Sequence, residues 1–127
     1  MKIKKTKPKS SVKKLWDLFS IFVRTRFADD DGMVSCISCP TRKHWKQMQA
    51  GHFVHAAKTN HVSYDLRNVN PQCPQCNKWR GGNPIPYGIV LQNAYGEGIV
   101  QELHDKKRDS RGLTRGEIET LMEKFRQ

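Results

Sequence analysis

Apolar positions recur along the first part of this chain with the spacing of a helix. Starting from Ser10 or Ser11, either able to cap a helix N-terminus, Val12, Leu15, Trp16, Phe19, Phe22 and Val23 form one stripe. The stripe ends before a turn at Asp29, Asp30, Asp31 and Gly32, and its aromatic residues read as core. Residues 33–39 read as a short strand, 41–46 as a polar connection, and 49–54 as a strand carrying His52, with His55 just past it. A loop over 56–61 leads through Tyr64, Asp65, Leu66, Arg67 and Asn68 towards a second cysteine pair. Residues 77–80 can begin a short helix that Gly81 and Gly82 break. Asn83 followed by Pro84 predicts an N-cap and a first-turn proline, opening a helix to about Ala94 with Gly96 as its stop. A further helical piece is expected over 97–107. Thr114 and Glu117 have the spacing of a capping box, and Ile118, Leu121, Met122 and Phe125 give the final helix one apolar face. No internal repeat is visible.

The length of 127 residues bounds this to one domain, 11–127, after a basic flexible tail at 1–10. That tail is either a solubilising segment or an arm that grips DNA. A chain of this size buries roughly two-thirds of its unfolded surface, so its core is modest. The charge balance sharpens the picture: 23 Lys and Arg against 12 Asp and Glu leave a formal net charge of +11, which favours nucleic acid as partner. A membrane partner is not expected, because Asp17, Arg24 and Arg26 interrupt the apolar stretch at 15–27. No export signal is recognisable at the start, so the expected compartment is a reducing cytoplasm, where thiols bind metals and do not pair as disulfides.

The four cysteines carry the strongest local signal. Cys36-Ile37-Ser38-Cys39 and Cys73-Pro74-Gln75-Cys76 are two CxxC knuckles with no cysteine left over. Two intervening residues let a tight turn aim both thiolates at one ion, and two such turns complete the tetrahedral shell of a structural Zn2+. Around them lie His52, Asn68 and Asn77. A neutral histidine on a rigid strand is a base suited to neutral pH. Asparagine offers a hard, proton-free oxygen suited to Mg2+ or Mn2+. Together they suit phosphodiester hydrolysis, which needs a base for water and a cation for the charge developing on phosphate.

The order of these residues resembles the HNH (His-Me finger, ββα-metal) endonucleases built on a zinc-binding treble clef, and more closely the phage lambda NinG/Rap family of recombination endonucleases. The matching positions are Cys36-Ile37-Ser38-Cys39, Ala50-Gly51-His52, Leu66-Arg67-Asn68-Val69, Gln72-Cys73-Pro74-Gln75-Cys76-Asn77, Gly82-Asn83 and Tyr87, spanning roughly residues 35–105. The resemblance implies an α+β fold with a small zinc-stapled treble-clef, HNH-like core flanked by N- and C-terminal helices. It implies cleavage of Holliday junctions and other branched DNA during phage recombination, in the cytoplasm of a bacterial host. It gives His52 the role of general base, Asn68 that of holding the loop and orienting the base, and Asn77, together with His52, that of ligand to the catalytic cation. Many HNH enzymes carry an aspartate before the histidine as second metal ligand, whereas Gly51 stands here, as in NinG-like sequences. His55 or Asp65, or water and substrate phosphate, are the candidates to complete that shell.

Lys58, Arg67, Lys78, Trp79, Arg80, Lys106, Lys107 and Arg108 are the candidate DNA contacts; Trp79 can stack on a base or pack in the core. A symmetric junction needs paired cuts, so a homodimer is expected, with residues 15–23 or the C-terminal helix as interface; recombination proteins are further possible partners. The competing reading is a non-catalytic zinc-finger module that binds DNA and recruits recombination proteins, for which Gly51 is the best support. A broad-specificity HNH nuclease is a third.

Overall fold

A computed structural model describes residues 10–126. The expected tail, up to residue 9, lies outside the described residues. Helix α1, Ser11–Thr25, begins where Ser10 accepts a hydrogen bond from the Lys13 amide at 3.2 Å, and it buries Leu15, Phe19 and Val23. These side chains meet the final helix α4, Arg115–Phe125, whose Ile118 and Phe125 complete one apolar cluster with Tyr64 and Val69. Both halves of the capping box form: the Thr114 hydroxyl accepts from the Glu117 amide at 3.1 Å, and the Glu117 carboxylate accepts from the Thr114 amide at 2.9 Å. The apolar faces of 15–23 and of the last helix therefore cover each other within one chain.

Between these helices lie two short antiparallel hairpins. In the first, β1 (Met33–Ser35) pairs with β2 (Arg42–His44). The polar segment expected as a plain connection is thus partly a strand. Its Arg-Lys-His sequence has no apolar alternation to betray it, and pairing with β1 orders it. Arg42 ties the hairpin back to Asp29 through an ion pair. In the second hairpin, β3 (Gln49–His52) pairs with β4 (Val69–Gln72), with Gln49 opposite Gln72, Ala50 opposite Pro71, Gly51 opposite Asn70 and His52 opposite Val69. Alternation gives this hairpin two faces. Ala50, His52 and Val69 face α1, while Gln49, Gly51, Asn70 and Gln72 face the cysteines and the next helix.

After the second knuckle the chain makes a wide π-type turn, Gln75–Trp79, in place of the expected helix start. Gly81, Gly82 and Asn83 then all take left-handed backbone conformations. Asn83 accordingly does not cap through its side chain; its amide instead donates to the Ser38 carbonyl at 3.1 Å, and asparagine is the non-glycine residue that best tolerates this backbone. Helix α2, Pro84–Tyr95, follows and stops at Gly96 as expected, and α3 spans Ile99–Asp109. A second apolar cluster of Val54, Val62, Tyr87, Leu91, Ile99 and Leu103 joins α2 and α3 to the loop behind β3. The chain is a mixed α+β fold of helices around two small sheets. No helix among the described residues is long and apolar enough to cross a membrane.

Candidate functional site

The two knuckles converge. Cys36 leaves β1 and Cys73 leaves β4, and the Sγ atoms of Cys36, Cys39, Cys73 and Cys76 all lie within 4.8 Å of one another. Cys39 and Cys73 have sulfurs 3.7 Å apart, close to the roughly 3.8 Å edge of a tetrahedron with 2.3 Å metal–sulfur bonds. The surroundings suit thiolates. The Cys73 amide donates to Cys36 Sγ at 3.3 Å and the Asn83 side chain to Cys76 Sγ at 3.5 Å. Val34 and Met48 close the cluster from water together with the cysteines. The donor set fits a structural Zn2+, held by these four residues.

His52 closes β3 and is buried, 6% exposed. Its ring stacks on Trp16 of α1 at 5.1 Å and 19°, and its Nε2 lies 3.3 Å from the Ser63 carbonyl. Trp16 is thus a partner of the histidine as well as part of the core, a contact between distant segments that periodicity does not reveal. The Lys58 ammonium sits 3.6 Å from the centroid of the Trp16 ring. Burial, then the Lys58 cation and more weakly His55, hold the His52 imidazole down to about 4, against the Ser63 carbonyl, which favours the protonated ring. His52 is therefore neutral near pH 7, as a general base must be.

This carries a stability consequence. The folded chain favours neutral His52, so the unfolded chain binds the extra proton between pH 6.5 and about 4. The stabilising effect is complete above that window and is lost as pH falls through it, by up to about 3 kcal/mol. Between pH 7 and 4, wild type should lose up to about 3 kcal/mol of unfolding free energy relative to His52→Gln. Parallel curves would contradict the assignment.

Asn68 is fully buried and holds the segment behind His52 from both sides. Its amide oxygen accepts from the Val54 N–H at 2.8 Å, and its nitrogen donates to the carbonyls of Val54 and Val62 at 3.0 and 3.1 Å. Asn77 follows Cys76 directly, and its amide donates to Gln49 Oε1 at 2.7 Å. Because Gln49 and His52 point to opposite faces of the hairpin, Asn77 and His52 stand on opposite sides of it. A link runs round the end of β3: the His55 ring lies 6.2 Å from that of His52, and His55 Nε2 would stand 3.5 Å from a Cβ placed on Gly82. Asp65 is engaged elsewhere. It pairs with Arg67 at 2.8 Å and Lys106 at 2.9 Å, and although burial opposes ionisation, these cations hold it well below the usual carboxylate range.

Gly51 has a reason to be glycine that the sequence does not display. A Cβ there would overlap the Gln72 side chain, lying 2.6 Å from Cδ and 2.8 Å from Cγ. Gly51→Ala is expected to cost about 1–3 kcal/mol by overpacking, read as a lowered melting temperature.

Of the candidate DNA contacts, Lys58 lies over the Trp16 ring, and the others fall into two groups. Lys78, Trp79 and Arg80 are exposed on the turn after Asn77, and Trp79, at 81% exposure, is not core. Arg67, Lys106 and Arg108 are paired with carboxylates: Arg67 also reaches Glu102, and Arg108 meets Asp105 and Asp109. Lys107 is exposed on the same helix. An open concavity of about 790 Å3 lined by His61, Tyr64, Asp65, Leu121 and Lys124 lies between α3 and α4, away from His52, Asn68 and Asn77.

Comparison with known proteins decides the family. Residues 1–127 match the family model described as Bacteriophage Lambda NinG protein. The chain belongs to this family. It is 34% identical over 114 residues to the NinG protein of Escherichia phage 933W, covering 85% of this chain and 54% of that one. To NinG of Salmonella phage P22 it is 32% identical over 117 residues, 90% of this chain and 55% of the relative. The NinG protein of Escherichia phage lambda is 32% identical over 114 residues, 85% of this chain and 53% of its own length. The chain spans about half the length of the curated NinG relatives it matches. No solved structure matches it. The resemblance read from the cysteine, histidine and asparagine motifs thus led to the right family.

Proposed function

We propose that this NinG-family chain is a metal-dependent, structure-selective DNA endonuclease of the HNH type, acting on branched DNA such as Holliday junctions in phage recombination. The observation that carries this reading is the arrangement about the cysteine cluster. A buried neutral histidine ends one strand, an asparagine locks the segment behind it, and a second asparagine follows a metal-binding cysteine on a rigid turn. In the reaction, His52 takes a proton from the attacking water, with substrate reaching it and Asn77 round the end of β3, past His55. Asn77 contributes an oxygen to the Mg2+ or Mn2+, which, when bound, neutralises charge on the phosphate. Asn68 fixes the backbone that sets the direction of the His52 ring. The exposed Lys78, Trp79 and Arg80 grip the strand beside Asn77, and Lys107 adds positive charge on α3. Phosphate contacts of this kind read backbone geometry and not base sequence, consistent with selection by branch structure.

The Zn2+ is structural in this account: four thiolates leave no open position for substrate or water. A homodimer belongs to the reading because a symmetric junction needs two cuts, with copies meeting elsewhere than on the α1–α4 seam. Light scattering with and without junction should return twice the chain mass.

The test is cleavage of labelled four-way junction and matched linear duplex in Mg2+, Mn2+ or EDTA. The reading expects cutting that needs metal and prefers the junction. The burial of His52 beneath Trp16 and the glycine at 51 favour one rival, a zinc-stapled module that binds DNA without cutting it. Tight junction binding with no cleavage in any divalent ion would establish that rival.

A further inference from the structure

The glycine at position 51 removes the carboxylate that commonly completes the cation shell in HNH sites, and the structure holds an unexplained oxygen at that place. Gln72 lies directly across the hairpin from Gln49 and shares its face with Gly51. It is fully buried. Its amide nitrogen donates to Ser38 Oγ at 2.9 Å and to the Gly82 carbonyl at 2.8 Å. A carbonyl can only accept, so the bond to Gly82 fixes which end of the amide is nitrogen. The other end, Oε1, is buried and has no hydrogen-bond donor. It is the atom that a Cβ on Gly51 would overlap first.

An unpartnered buried carbonyl oxygen costs about 1–3 kcal/mol, so a group that satisfies it is expected. Here the absence of a side chain at 51 lets the Gln72 oxygen reach the space above that residue. On the same face, Asn77 is bonded through its nitrogen to Gln49, the cross-strand partner of Gln72. No hydrogen bond among the described residues ends on Asn77 Oδ1. Two amide oxygens of one polar face thus stand without donors beside a rigid metal-binding turn. Neutral oxygens of this type are hard donors for Mg2+ or Mn2+, which take few protein ligands and complete their shell with water and phosphate.

We infer that Gln72 supplies, through Oε1, the second protein ligand of the catalytic cation, together with Asn77 and in place of a carboxylate at position 51. The inference rests on the endonuclease reading and deepens it. Glycine at 51 is then the condition for the glutamine to bind the ion. This explains why the shell is read as incomplete from sequence: the replacement comes from the opposite strand.

Mn2+ binding to the zinc-loaded chain, followed by electron paramagnetic resonance without DNA, tests it apart from activity. Gln72→Glu keeps the length and adds a charge, and should tighten Mn2+ binding at least tenfold. Gln72→Met keeps the bulk and removes the oxygen, and should weaken binding at least tenfold. Gln72→Glu loses the bond to the Gly82 carbonyl and Gln72→Met loses both amide bonds, so zinc content and the melting transition report whether each variant is folded, and whichever stays folded decides. The double variant Gly51→Asp with Gln72→Ala should regain binding by moving the ligand back to residue 51. Mn2+ affinity indifferent to both Gln72 substitutions but lost in Asn77→Ala would overturn the inference and leave the nuclease site standing. Absence of Mn2+ binding by wild type, with no cleavage in either metal, would overturn both together.

Discussion

Removing one cysteine of the cluster is expected to unfold the chain at 37 °C. Structural zinc contributes on the order of 10–16 kcal/mol of apparent binding energy, as much as or more than the 5–15 kcal/mol that holds a whole domain together. Little else joins the two hairpins: β1 and β2 have three residues each, and the cluster around Cys36, Cys73 and Cys76 adds only Val34 and Met48 from the buried set. Cys73→Ser, or stripping with a strong chelator, should therefore abolish the cooperative melt and release one zinc per chain. Circular dichroism with a colorimetric zinc assay reads both. A chain that melts unchanged after losing its metal would show that the cysteines are ordinary core residues.

Asn68→Ala should produce one of the largest losses of any polar substitution among the described residues. Its side chain is fully buried and satisfies three backbone groups, the N–H and carbonyl of Val54 and the carbonyl of Val62. Each group left unpaired costs about 1–3 kcal/mol, so the sum is on the order of 3–5 kcal/mol after partial relaxation. For a domain of this size that lowers the melting temperature by roughly 10–20 °C. Asn68→Asp should be nearly as damaging, because a carboxylate keeps the acceptor but faces two carbonyls it cannot donate to. Zinc content should stay at one per chain in both, separating this effect from loss of the metal. A shift of only a degree or two would mean that the segment behind His52 is held by other contacts, chiefly the buried Val54 and Val62.

Much of this architecture is legible in the sequence because it depends on local chemistry. The α1 stripe, the Thr114–Glu117 capping box and the stop at Gly96 are rules of single helices, and each holds in the structure. The gathering of the cysteines follows from their spacing. What the sequence hides depends on contacts between distant segments. The strand at Arg42–His44 has no apolar alternation and exists because β1 pairs with it. Asn83 reads as a helix cap, yet it is held left-handed by its bond to Ser38. Trp16 belongs by periodicity to the core stripe, and only the packing of α1 on β3 reveals that it stacks on His52. The charged residues give a similar lesson: Arg67, Lys106 and Arg108 look like free phosphate contacts in a basic chain but answer nearby carboxylates. Gly51 reads as a missing ligand, whereas the structure fills its space with the side chain of Gln72.

The central claim is that a histidine on one hairpin strand and an asparagine beside the zinc cluster together cut branched DNA. Its most direct test is single-turnover cleavage of a four-way junction with excess protein, comparing wild type, His52→Ala and Asn77→Ala at matched zinc content and junction binding. The account predicts metal-dependent cutting by wild type, slowed about 10²- to 10⁴-fold by loss of the base and suppressed by loss of the ligand. Cutting by His52→Ala at the wild-type rate, or binding by all three proteins with no cleavage, would contradict it.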